Sequence, residues 1–125
     1  MYFPFYESIQ AWFPSPATDD IKQDTSLEEY LINSPNSTIF VKVVGDSMKD
    51  AGILTGDGVI VEKWRKVEEG DIVIAVVDSE YTLKYYRTNN GSPYLAPANT
   101  AYENIYPDES LEIFGVVVGV FRKLT

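Results

Sequence analysis

From residue 39 onward, apolar residues alternate with polar ones or run together in short stretches. Ile39-Phe-Val-Lys-Val-Val44 predicts one strand, halted at Gly45. Gly58-Val-Ile-Val-Glu-Lys-Trp64 predicts a second, and Asp71-Ile-Val-Ile-Ala-Val-Val77 a third. The third is apolar at every position after Asp71, the pattern of a strand covered on both faces. Asp78-Ser79-Glu80 predicts a hairpin turn into Tyr81-Thr-Leu-Lys-Tyr-Tyr-Arg87. Asn89-Asn90-Gly91 predicts another turn before Tyr94-Leu95, because Asn and Gly tolerate left-handed backbone. Leu111 to Phe121 predicts a long last strand interrupted by Gly115 and Gly119. Short strands at this spacing imply an all-β fold, a small partly open β-barrel or sandwich.

The first 38 residues are patterned differently. Met1-Tyr-Phe-Pro-Phe-Tyr6 is aromatic and broken by proline, and Phe13-Pro-Ser-Pro-Ala17 carries two more prolines, which favour extended or turn backbone. Asp19 to Asp24 is polar. Ser26-Leu-Glu-Glu-Tyr-Leu-Ile32 predicts a short helix, with Ser26 as N-cap and Glu28 and Glu29 near the positive end of its dipole. Asn33-Ser34-Pro35 ends it. The expected organisation is an extended N-terminal arm with one short helix over residues 1–38, then a β-domain over 39–125.

Composition narrows the chemistry. A chain of 125 residues, 45% of them hydrophobic, is one domain by length and can bury a core without disulfides. It contains no cysteine and no histidine. That removes a Cys nucleophile, a Ser-His-Asp triad and a His-ligated zinc. The net charge of −9 opposes phosphate binding, so a protein partner is expected and no direct DNA contact. No basic leader precedes an apolar run, and the apolar stretch from Ile113 to Phe121 is too short to span a bilayer as a helix. The expected location is the cytoplasm, with no membrane contact, no cofactor and no metal.

Two residues carry candidate chemistry. Ser47, in Val44-Gly45-Asp46-Ser47-Met48, follows a strand at a turn, where it would point outward beside backbone N–H groups while Met48 packs inward. Without histidine, its base must be a lysine or a carboxylate. A solvated lysine is protonated at pH 7, and burial favours its neutral form. Lys22, Lys49, Lys63, Lys66 and Lys123 sit among polar neighbours, and Lys42 can alternate outward. Lys84 sits between Leu83 and Tyr85-Tyr86, on one strand face with Thr82 and Tyr86. Lowering its pKa to about 7 costs roughly 4–5 kcal/mol. The competing reading of Lys84 is a side chain that snorkels to solvent.

The chain resembles the self-cleaving Ser-Lys peptidases of the LexA and UmuD type over nearly its whole length. The resemblance rests on Val44-Gly45-Asp46-Ser47-Met48, Gly52-Ile53, Gly56-Asp57, Gly70-Asp71-Ile72-Val73 and Tyr81-Thr82-Leu83-Lys84. It continues through Leu95-Ala-Pro97, Asn99, Ala101-Tyr102 and Phe114-Gly115-Val116-Val117. It implies Ser47 as nucleophile, Lys84 as general base and acid, and the backbone N–H groups of Asp46 and Ser47 as oxyanion donors. Phe13-Pro-Ser-Pro16 resembles the segment after the cut in UmuD-type proteins, which places the scissile bond between Ala11 and Trp12. Trp12 stands where the family usually has Gly. The resemblance further implies a homodimer, an SOS-response role, stimulation by RecA filaments on single-stranded DNA and a UmuC-type translesion polymerase as partner. Phe3-Pro4-Phe5 resembles an arm that contacts the replicative sliding clamp.

Other features have plainer readings. Asp57 and Asp71 follow glycine in turns, and Glu68-Glu69, Asp19-Asp20 and Asp108-Glu109 read as solvated loop charges rather than metal ligands. Trp64 reads as packing. The nine tyrosines suit strands and a protein interface. Three functions stay open: a self-processing peptidase that regulates a polymerase, a non-cleaving dimeric binding module of the same fold, and the peptidase domain of a LexA-like repressor.

Overall fold

The computed structural model describes residues 3–6, 21–107 and 111–125, with side chains for 26–107 and 111–125. The expected cut at Ala11–Trp12 lies outside the described residues. The chain divides into two compact units, 1–33 and 34–125.

In the first unit, β1 (Phe3–Tyr6) pairs antiparallel with β2 (Ile21–Thr25). This two-stranded sheet was not expected from proline-broken and polar sequence. Helix α1 spans Leu27–Leu31. Ser26 occupies its N-cap position with extended backbone, but its hydroxyl makes no capping bond, contrary to expectation.

The second unit is the expected all-β fold: one antiparallel six-stranded sheet, not closed on itself. Its strands are β3 (Thr38–Lys42), β4 (Gly58–Glu62), β5 (Ile72–Val77), β6 (Glu80–Asn89), β7 (Ser92–Ala96) and β8 (Leu111–Phe121). Their spatial order is β3-β4-β8-β5-β6-β7. The hairpin turns fall where Asp78-Ser79 and Asn90-Gly91 predict them, with positive φ at all four residues. As expected, β5 is buried on both faces. Ile74 packs with Met48, Ile53, Val59 and Val61, while Val73 and Ala75 pack with Leu95 and Val116. Strand β8 slips by one residue against each neighbour, between Ile60 and Val61 on β4 and between Ile74 and Ala75 on β5. Gly115 lies beside the latter irregularity, and a β-carbon there would collide with Val61 and crowd the Glu62 carbonyl. Trp64 does not pack. It follows β4 with φ +67 and is 86% exposed, because the strand ends at Glu62 and the chain turns outward.

Candidate active site

The loop that carries Ser47 starts where β3 stops pairing. Val43 N–H still donates to Asp57 O, and Gly56 N–H to Val43 O, each at 2.8 Å. Gly45 then adopts φ +100, a left-handed conformation that side chains resist, and turns the chain toward Asp46 and Ser47. Met48 and Ile53, both 2% exposed, anchor the loop in the core as the Met48 reading requires.

Lys84 comes from the middle of β6, opposite the fully buried Val73. It is itself only 8% exposed, so the snorkelling alternative does not hold. Lys42 is exposed, as expected. Lys84 Nζ lies 3.1 Å from Ser47 Oγ, 2.7 Å from Thr82 Oγ1 and 3.1 Å from the Leu83 carbonyl oxygen. Burial among apolar strands pushes its pKa below the usual lysine value. The three contacts suit both protonation states. The ammonium fills all three with N–H bonds. The neutral amine can give its two N–H groups to Thr82 and Leu83 and turn its lone pair to the Ser47 hydroxyl. Thr82 was noted in the sequence only as a face neighbour. Its reach to Nζ follows from the period-2 repeat of the strand.

The loop after β7 braces the other side of Ser47. Ala98 N–H donates to Ser47 O, and Asp50 N–H to Ala98 O, each at 2.8 Å. Asn99 Nδ2 donates to Asp46 O at 2.9 Å, and Tyr102 Oη donates to Asp46 Oδ1 at 2.7 Å. The bond to Asp46 holds the Tyr102 phenol above its usual pKa. Among the described residues, the amides of Asp46 and Ser47 donate to no protein group and stay available to a ligand. A cleft of about 200 Å³ is lined by residues that include Val41, Val43, Val44, Tyr81, and Thr82 and Leu83, the two neighbours that Lys84 Nζ bonds, but not by Ser47 or Lys84 themselves.

Asp57 sits in a turn, as its sequence suggested, and also holds an ion pair that the sequence did not suggest. Asp57 is 2% exposed and receives two bonds from Arg122, Nε to Oδ1 at 2.7 Å and Nη2 to Oδ2 at 2.6 Å. Arg122 also donates to Gly52 O at 2.9 Å, and Leu54 N–H donates to Asp57 Oδ2 at 2.8 Å. The Arg122 guanidinium, helped by the Leu54 amide, lowers the Asp57 pKa from 3.8 to about 2. Asp71 caps its own turn by accepting from Glu68 N–H, and Glu68 and Glu69 are exposed. No cluster of three or more metal-binding side chains occurs among the described residues, and none of their helices is long and apolar enough to cross a membrane.

Residues 4–118 match the peptidase S24-like family. The chain belongs to that family. Its members include close relatives of this chain. Protein SamA of Salmonella typhimurium is 44% identical over 119 residues, covering 95% of this chain and 84% of SamA. Protein ImpA of Escherichia coli is 40% identical over 121 residues, covering 95% and 82%. The LexA repressor of Staphylococcus carnosus is 39% identical over 99% of this chain, which spans 60% of the repressor. The family resemblance read from the sequence is thereby borne out, and with it a serine peptidase in general terms.

Proposed function

We propose that the chain is a self-processing peptidase of the UmuD type, working through a Ser47–Lys84 dyad. The observation that carries this reading is the 3.1 Å contact between Ser47 Oγ and a buried lysine whose other two partners are acceptors. Ser47 Oγ attacks the Ala11 carbonyl while neutral Lys84 takes the hydroxyl proton. The amides of Asp46 and Ser47 receive the oxyanion. Collapse breaks the Ala11–Trp12 bond, and Lys84 gives its proton to the leaving Trp12 amine. Water then adds to the Ala11 ester with Lys84 again as base, which frees residues 1–11 and restores Ser47. The substrate is tethered in the same chain or belongs to a partner subunit's arm, so a high effective concentration replaces tight binding.

In this reading a RecA filament favours the docked arm, and the trimmed homodimer regulates a UmuC-type translesion polymerase in the SOS response. Phe3-Pro4-Phe5 contacts the sliding clamp before the cut. Phe13-Pro-Ser-Pro16 supports the UmuD-type assignment. The LexA relative favours one second reading, the peptidase part of a repressor.

The test is the intact mass of the protein after incubation at about pH 10, beside Ser47→Ala and Lys84→Ala. Time-dependent loss of residues 1–11, absent in both variants, is the expected result. A stable full-length mass, with RecA filaments present as well, would sink self-cleavage and leave the non-cleaving binding module.

A further inference from the structure

The peptide that joins Asp46 to Ser47 carries the Asp46 carbonyl on one edge and the Ser47 N–H on the other. A planar trans peptide points these groups in opposite directions, so fixing one aims the other. Asn99 Nδ2 donates to that carbonyl at 2.9 Å. Asn99 is 6% exposed, and its own orientation is set, because its Oδ1 accepts from Ala101 N–H at 2.9 Å. The Asp46 carbonyl can only accept and the Ala101 amide can only donate, so the side-chain amide has one way round. Lys49 N–H adds a longer bond of 3.2 Å to the same carbonyl. The Gly45 carbonyl, on the far edge of the other expected oxyanion donor, has no such brace among the described residues.

We propose that Asn99 is a positioning residue for the oxyanion site, holding the Asp46 carbonyl so that Ser47 N–H faces the developing negative charge. The proposal rests on the peptidase reading above. The bond acts in two ways. It prevents the peptide from rotating when Ser47 moves toward the acyl carbon. It also polarises the peptide, which makes its N–H a better donor. Ala98 N–H, bonded to Ser47 O, braces the next peptide in the same manner. Asn99 touches no reacting atom, so its effect belongs to the aim of the donor rather than to proton transfer.

The experiment measures two rates on the full chain from pH 6 to 11: self-cleavage by intact mass, and labelling of Ser47 by a fluorophosphonate. Asn99→Ala and Asn99→Asp are compared with the unaltered chain, and urea unfolding confirms that each variant is folded. Asn99→Asp keeps size and the Ala101 bond, and remains informative if Asn99→Ala does not fold. Removing one oxyanion donor costs about 10²–10³ in rate, so misaiming one is expected to lower both limiting rates about 10- to 100-fold. The pH midpoint, set by Lys84, is expected to stay in place. Unchanged limiting rates, or a loss that is wholly a shift of midpoint, overturn the role of Asn99 and leave the peptidase reading standing. If the unaltered chain labels without cleaving, the labelling ratio alone decides. If it neither cleaves nor labels, the peptidase reading fails and the role of Asn99 fails with it.

Discussion

At the scale of single residues, Thr82 separates orientation from basicity. Its hydroxyl accepts from Lys84 Nζ at 2.7 Å, and an acceptor favours the charged amine. Thr82→Val is expected to move the pH midpoint of self-cleavage downward while the limiting rate falls. The fall should be a few-fold to tenfold, since one such bond is worth about 0.5–1.5 kcal/mol. A pH–rate profile by intact mass checks both. In the unaltered chain the rate should rise with pH and reach its midpoint below the usual lysine pKa, because burial favours the neutral base. In the sequence Ser47 and Lys84 were separate weak signals, a turn serine in a chain without histidine or cysteine and a lysine in an apolar strand, and the family resemblance is what joined them. Asn99 and Tyr102 were visible only as pattern. Their partner, Asp46, is 53 and 56 positions away, and no local periodicity records such a pairing.

At the scale of elements, the central strand sets the limits. Gly115 of β8 lies where β4 approaches too closely for a side chain. Gly115→Ala is expected to cost about 1–3 kcal/mol, the range for overpacking, seen as a lower midpoint in urea. Gly91→Ala, at φ +83 in the β6–β7 turn, should cost about 1–2 kcal/mol without slowing Ser47 labelling in the folded fraction. The strands of the main sheet were legible because their apolar runs end at Gly, Asn and Asp. Strand bounds moved by a residue or two at an end, as at β4, where Lys63 and Trp64 had been read into the strand. Strands β1 and β2 were not legible. Pro4 and the polar run to Asp24 argue against strand, and it is the backbone pairing between positions about 20 apart that forms them.

At the scale of the whole molecule, the Asp57–Arg122 pair ties the segment after β8 to the segment after Ser47. Asp57 has a folded pKa of about 2 against an ordinary 3.8. Its contribution to stability is therefore complete above about pH 4 and is lost as the pH falls through about 2. Asp57→Asn should lower the urea midpoint at pH 7 and flatten its further fall between pH 4 and 2. The sequence could not reveal this pair, since Gly56-Asp57 is an ordinary turn dipeptide and Arg122 lies 65 positions on. Phe40 and Phe121 meet edge to face at 5.6 Å, and both remain exposed beside Val120. Under the homodimer proposal, Phe121→Glu should give a monomer by sedimentation.

The strand order has a consequence for the timing of synthesis. Within the main sheet of the described residues, β8 alone joins β3-β4 to β5-β6-β7. Ser47 lies between β3 and β4 and Lys84 belongs to β6, so the two residues sit on half-sheets that the last strand unites. A ribosome working at roughly 5–20 residues per second needs about 4–15 s to pass from Ser47 to Arg122. Throughout that interval residues 1–47 have been made, yet the sheet that brings Ser47 to Lys84 is unfinished. Under the self-cleavage proposal the order of the strands works as a delay, because the contact between Ser47 and Lys84 waits for the strand that joins the two half-sheets.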